Sequence, residues 1–281
     1  MDRFVPTNSI TIHCLEFEGD GPTIVLLPGL TANANSFGGL VDAGLSPALH
    51  VLALDLRGRG LSDHPESGYT IADHAADVVG LIDTLGLDTA IPVGHSFGGM
   101  LTYYLAANFP ERFPRIVSID APAEIDPMIM SQIKPSLERL GTPVASWEAY
   151  LSAVKAQPYF GDWWDPLIEA YYRADVKTLD DGRVQARSHP ETIQAVVEGT
   201  LEVDWTDVVS RVTQPTLTIR ATGPYGPPGS PPILPKEKAD RVISLLADPH
   251  PLALDGNHMS ILFGQRAPAL VSAILEFVGA G

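Results

Sequence analysis

The chain has 281 residues, of which 45% are hydrophobic and 19% charged, and its net charge at neutral pH is −16. That length and balance suit one α/β domain carrying an insertion, or two small domains, with ample material for a large core. The acidic balance argues against nucleic acid or an anionic membrane as partner, and a single cysteine, Cys14, excludes an intrachain disulfide.

No stretch approaches the roughly 18 consecutive apolar residues of a membrane span. The first six residues, Met1-Asp2-Arg3-Phe4-Val5-Pro6, lack the apolar core of a signal peptide. A cytoplasmic protein is expected. Residues 9–17 alternate, with Ile10, Ile12 and Cys14 on one face, and predict an early strand in which Cys14 is a small core residue. A turn at 19–22 precedes the continuous apolar run Thr23-Ile24-Val25-Leu26-Leu27, the pattern of a central strand buried on both faces. It ends in Pro28-Gly29-Leu30, where a glycine lets the backbone pass closely under whatever lies above the sheet.

Residues 50–56 predict another buried strand, followed by Arg57-Gly58-Arg59-Gly60-Leu61-Ser62-Asp63. This loop lacks the third glycine of a dinucleotide fingerprint and the lysine of a phosphate loop, so neither reading holds. Residues 70–85 place Ile71, Ala75, Val78, Val79, Ile82 and Leu85 on one helical face, with Gly86 able to end the helix.

Ile91-Pro92-Val93 then runs into Gly94-His95-Ser96-Phe97-Gly98, and helical spacing resumes to about Asn108 before Pro110. Strand, tight turn and helix with a serine at the apex is the context in which a G-x-S-x-G string exposes a nucleophile. The glycines on either side admit a strained turn, and the Phe97 amide, in the first turn of the helix, can face a developing oxyanion. The Leu30 amide is the second candidate donor.

Residues 115–119 predict a strand ending at Asp120. Strand–helix alternation then lapses until about residue 214. The intervening stretch, 122–213, is helical in pattern and rich in aromatics, and reads as an inserted cap between two parts of a core, 1–121 and 214–281. Tyr159, Trp163 and Trp164 are its candidate substrate-lining residues; the two adjacent tryptophans cannot share one face of a helix. Asp180-Asp181-Gly182 predicts a turn inside it. A strand at 215–220, a proline- and glycine-rich loop at 223–232, a helix at 236–246, a strand at 251–254, a loop at 255–259 and a final helix at 267–278 complete the chain.

Alternation of this kind builds a parallel sheet whose ligands sit at the carboxyl ends of its strands, where Leu30, Ser96, Asp120 and His258 all fall. A serine needs a base, and the base an orienting carboxylate. Of the eight histidines, His258, in a loop after the last strand, is the expected base. His95 should point away from the nucleophile as a packing residue. His13, His50, His74 and His250 lie in or beside regular elements, and His64 and His189 are weaker loop candidates.

The Leu26-Leu27-Pro28-Gly29-Leu30 segment, the Asp55–Ser62 loop, Gly94-His95-Ser96-Phe97-Gly98-Gly99 and Gly256-Asn257-His258 together resemble the α/β-hydrolase superfamily, in its capped, esterase-like branch, over nearly the whole chain. The resemblance implies a mostly parallel central sheet flanked by helices with an inserted helical cap. It implies a serine nucleophile, Ser96, with His258 as base, and backbone donors Leu30 and Phe97. Serine at the elbow departs from the haloalkane dehalogenases and epoxide hydrolases, which carry aspartate there. Pro28 stands where histidine is common, which leaves the Leu30 amide intact. The family usually places its acid after the strand matching 215–220, but Ala221-Thr222-Gly223-Pro224-Tyr225-Gly226 has none; Asp120, in the place some members use instead, is the expected acid, with Asp255 second.

The expected chemistry is cofactor- and metal-free hydrolysis of a small or medium, mostly apolar ester or lactone, N-acyl homoserine lactones among them, through an acyl-enzyme. The alternatives are hydrolysis of a carbon–carbon bond in a vinylogous diketone, for which Arg173, Arg183 and Arg187 are candidate anion contacts, a perhydrolase, or a non-catalytic ligand-binding protein.

Overall fold

The computed structural model describes residues 1–124, 137–161, 163–226 and 229–279. Residues 125–136 and Asp162 of the expected insertion, and Pro227 and Pro228 of the proline loop, lie outside the described residues. Ten strands and the helices between them are assigned. β1 (Asp2–Thr7), β2 (Ile10–Phe17), β3 (Thr23–Leu27), β4 (His50–Leu54), β5 (Ile91–His95), β6 (Ile116–Ile119), β9 (Pro215–Ala221) and β10 (Asp248–Leu254) form one sheet in the order β1-β2-β4-β3-β5-β6-β9-β10. β2 runs antiparallel to both β1 and β4, and every other pairing is parallel.

The apolar runs become central strands because both faces are covered. Along β3, Val25 and Leu27 face one core cluster while Ile24 and Leu26 face the other, and β4 divides Leu52 and Leu54 from Val51 and Ala53 in the same way. α1 (Ile71–Thr84) and α2 (Phe97–Asn108) cover the first face, and the last helix, Ala267–Val278, covers the second. α1 begins at a capping box in which the Thr70 side chain accepts from the Asp73 N–H and the Asp73 carboxylate accepts from the Thr70 N–H. Cys14 is fully buried between strands.

β1 is an element the sequence reading did not predict. It is an edge strand, where Pro6 is tolerated because its missing N–H interrupts only one side of the ladder. β10 is also longer than expected, starting at Asp248: Pro249 and Pro251 mask the pattern, yet the strand lies at the opposite edge.

Between β6 and β9 lie α3 (Trp147–Lys155), α4 (Pro166–Asp175), the antiparallel pair β7 (Val176–Thr178) and β8 (Val184–Ala186), α5 (Pro190–Leu201) and α6 (Trp205–Ser210). The expectation of a wholly helical pattern is therefore corrected by one hairpin, whose strands are too short to show alternation. The predicted Asp180-Asp181-Gly182 turn is its tip, with Gly182 at φ 84°. The stretch is not packed as a separate unit. Trp205, Val208 and Val209 join the core beneath α2, while Tyr150, Phe160, Ile168 and Tyr172 share a cluster with Phe37 and Phe263 on the opposite face. No helix among the described residues is long and apolar enough to cross a membrane.

Candidate active site

Ser96 occupies the turn between β5 and α2 with φ 57° and ψ −119°, a conformation that L-residues with side chains rarely adopt. The surrounding glycines make the turn possible. A Cβ on Gly94 would lie 2.0 Å from the Gly98 carbonyl oxygen, and one on Gly98 would lie 1.9 Å from the Leu27 carbonyl oxygen. The Ser96 N–H donates to the Ile119 carbonyl at 2.9 Å, so the turn is tied to the end of β6. Gly29, directly after β3, passes beneath it: a Cβ there would stand 3.5 Å from the Ser96 Cβ. Leu30 follows Gly29, and Phe97 opens α2. Among the described residues neither of their N–H groups has a hydrogen-bond partner.

His258 and Asp120 meet across 138 residues of chain. His258 Nδ1 lies 2.6 Å from Asp120 Oδ2. Asp120 is fully buried at φ 52°, and its other oxygen accepts the Ala221 N–H at 3.0 Å. The end of β9, where the sequence offers no acid, thus supplies a backbone donor to the carboxylate at the end of its neighbour β6. With Nδ1–H donating to Asp120, His258 Nε2 is left free to accept a proton. Asp255, the second-choice acid, is 88% exposed at its side chain and lies 3.3 Å from Arg266 instead.

Neighbouring residues fix the His258 loop. Asn257 Oδ1 accepts from the Met259 and Ser260 N–H groups, and its Nδ2 donates to the Tyr159 carbonyl at 2.6 Å. His95, expected as a packing residue, meets His258 in a tilted ring contact with centroids 4.3 Å apart and donates from Nε2 to the His258 carbonyl at 2.9 Å. On the other side Tyr225 presents its ring to His258 in a T-shaped contact at 5.4 Å, and Tyr159 stacks flat on Tyr225 at 4.7 Å.

The aromatic candidates separate accordingly. Tyr159 reaches the His258 surroundings through Tyr225. Trp163 and Trp164 precede α4 rather than sit within a helix, so the one-face restriction does not apply, and both pack round the buried Phe160 at 5.4 and 5.0 Å. Tyr225 was missed because the 223–232 loop was read only for the acid it lacks; an aromatic in a strand-end loop was the available signal.

A second missed device is Asp55. Its carboxylate accepts from the Ala34 and Leu61 N–H groups at 2.7 and 2.8 Å and lies 2.7 Å from His13 Nδ1, clipping the loop after β3 to the loop after β4. A Cβ on Gly60 would stand 2.0 Å from Asp55 Oδ2, which is why glycine is required there. Asn33 extends the same loop outward, donating to the Tyr171 carbonyl in α4. Of the remaining histidines, His50 binds Thr23 and Glu16, His64 and His189 pack together at 5.1 Å, and His250 lies beside Asp248. Among the described residues no group of three His, Cys, Asp or Glu side chains is placed to hold a metal ion.

A family model described as alpha/beta hydrolase fold matches residues 22–159. The crystal structure of E-2-(acetamidomethylene)succinate hydrolase superposes over 99% of both chains with a TM-score of 0.85, at 24% identity. The chain is an α/β hydrolase by fold. Two curated relatives align with this chain. A 2-(acetamidomethylene)succinate hydrolase of Mesorhizobium japonicum is 35% identical over 155 residues, 54% of this chain and 55% of its own length. A non-heme chloroperoxidase of Streptomyces lividans is 29% identical over 217 residues, 72% of this chain and 74% of its own length. The alignment to the first of these spans about half the relative's length.

Burial also sets a pH dependence of stability in this protein. His95 is held well below the ordinary histidine value, first by burial and then by the neighbouring His258; His74 is lowered by burial and by Arg59. Both stay neutral in the fold, while the unfolded chain takes up protons near pH 6.5. The unfolded state then binds more protons, so stability falls as pH drops below 6.5, by about 1.4 kcal/mol per pH unit for each histidine. His13 opposes this, because Asp55 and Asp2 hold its pKa above the usual value despite burial, but its shift is the smaller one. Urea unfolding at pH 7.5, 6.5 and 5.5 is expected to show a steep loss at the last step. A constant unfolding free energy would contradict it.

Proposed function

We propose that this α/β hydrolase is a serine-dependent acyl hydrolase of small esters and lactones, with Ser96 as nucleophile, His258 as base and Asp120 as the orienting acid. The observation that carries the reading is the 2.6 Å contact between His258 and a buried Asp120, beside a serine in a strained turn. In the proposed cycle His258 Nε2 takes the Ser96 proton as the oxygen attacks the acyl carbonyl. The Leu30 and Phe97 N–H groups receive the oxyanion. The tetrahedral adduct collapses, the leaving alkoxide takes the proton from His258, and the same base then activates a water to release the acid. Asp120 keeps the imidazole in the tautomer that accepts at Nε2. Tyr159 and Tyr225 offer an aromatic wall suited to an apolar acyl or alkyl part.

The Mesorhizobium japonicum relative is named for a succinate-bearing compound, so carboxylate-bearing substrates belong in the test. The panel is p-nitrophenyl esters from acetate to octanoate, N-acyl homoserine lactones and enol-lactones with and without a free carboxylate, together with a fluorophosphonate probe. Saturable turnover of at least one class and one-to-one labelling are the expected results. No turnover combined with no labelling would overturn the proposal in favour of a binding protein. Turnover of a vinylogous diketone alone would move the assignment to carbon–carbon hydrolysis.

A further inference from the structure

The two arginines of Arg57-Gly58-Arg59-Gly60 have different surroundings. Arg57 is paired, its Nε and Nη2 reaching the Asp77 carboxylate at 2.6 and 2.5 Å. Arg59 is wholly buried and, among the described residues, touches no carboxylate. Its Nε donates to the Leu30 carbonyl at 3.1 Å and its Nη1 to the Arg57 carbonyl at 2.6 Å. Nη1 also donates to His74 Nε2 at 2.8 Å, and His74 Nδ1 in turn donates to the Thr70 carbonyl, so His74 is a neutral acceptor. Among the described residues Nη2 is buried with no partner. The guanidinium carbon lies 5.6 Å from the centre of the Phe97 ring, whose edge His74 also meets at 5.2 Å.

A charge in this setting is costly unless something offsets it. Every acceptor it has is neutral, and Asp77 is occupied by Arg57. Burial lowers its pKa to about 9, which leaves it charged at neutral pH. The two residues it touches toward the sheet's carboxyl edge are Leu30 and Phe97, whose amides are the proposed oxyanion donors. Nη2 is closed off, so a substrate does not reach the guanidinium, and its effect passes through the protein.

We propose that Arg59 is the positioning residue of the oxyanion hole: it joins Leu30 to Phe97, and its uncompensated positive charge is offset when negative charge develops on the substrate oxygen. This inference rests on the serine-hydrolase reading above. It explains why a buried cation is tolerated here: the charge is best compensated in the tetrahedral intermediate, where differential stabilisation accelerates the reaction.

The test uses the whole protein and a substrate that wild type turns over. Arg59→Met keeps the length and removes the charge; Arg59→Lys keeps the charge and loses the fork. Arg59→Met is expected to lower kcat about 100-fold with KM within about threefold, and to weaken inhibition by a trifluoromethyl ketone, which places an oxyanion in the hole, by a similar factor. Arg59→Lys is expected to recover about tenfold of the lost kcat. A purely structural arginine would instead lower the melting temperature and leave the ratio of ketone inhibition to KM unchanged. Unchanged kcat and ketone affinity in Arg59→Met, with wild type active and labelled by fluorophosphonate, overturns this inference alone; wild type that is neither active nor labelled overturns the reading beneath it. Should Arg59→Met not fold, Arg59→Lys carries the test, with a loss of about tenfold in kcat at constant KM expected and wild-type kinetics overturning the proposal.

Discussion

Ser96→Ala is expected to lower kcat by at least about 10⁴-fold and to abolish fluorophosphonate labelling, with the fold unchanged. The substitution removes one oxygen. The serine side chain makes no capping hydrogen bond to α2, so its loss leaves no buried donor or acceptor stranded. Alanine meets the same backbone strain at φ 57° as serine does, so the melting temperature is expected to stay close to that of wild type. The Leu30 and Phe97 amides, proposed as oxyanion donors, survive the change, and the residual rate is expected to come from them. Rate assays, active-site labelling and a thermal melt on one preparation decide the matter. Turnover above about 1% of wild type would show that Ser96 is not the nucleophile.

Asp120→Asn is expected to cost about 10³- to 10⁴-fold in kcat with little change in KM. Asparagine is the residue best suited to the left-handed backbone that Asp120 adopts, since its short polar side chain tolerates φ near 52°. Its Oδ1 can still accept the Ala221 N–H. Its amide nitrogen, however, would face His258 Nδ1 as a donor, which forces the imidazole into the tautomer carrying its proton on Nε2. That tautomer cannot take the serine proton. Because the geometry is conserved and only the tautomer changes, a kinetic loss without a stability loss is the diagnostic pattern. Asp255→Asn, at an exposed carboxylate paired with Arg266, is expected to retain wild-type rates. Activity of Asp120→Asn above a tenth of wild type, or a matching loss in Asp255→Asn, would place the acid elsewhere.

Much of this was legible in the chain. The apolar runs at 23–27 and 91–93 name central strands because only a strand covered on both faces uses such a run. Gly94, Ser96 and Gly98 announce the elbow because nothing larger than glycine fits beside it. The 70–85 helix is readable from its spacing and cap. The edge strands were harder. β1 and β10 contain prolines and are solvated on one side, so local pattern carries little signal for them. The β7–β8 hairpin is too short to show alternation.

The sequence by itself determined the central strands and their alternation with helices, the turn at Ser96, and the candidacy of His258, since each depends on neighbours within a few residues. The tertiary structure decided which carboxylate faces that histidine, which aromatics approach it, and where an unpaired arginine lies. Asp120 and His258 are 138 residues apart and meet because β6, which leads into Asp120, and β10, which leads into the His258 loop, flank β9 in the sheet. Tyr225 reaches His258, and Tyr159 stacks on Tyr225, through packing between segments far apart in the chain. The partners of Arg59 follow from the same long-range packing: Arg57, with the same charge two residues away, pairs with Asp77, and no local pattern records that choice.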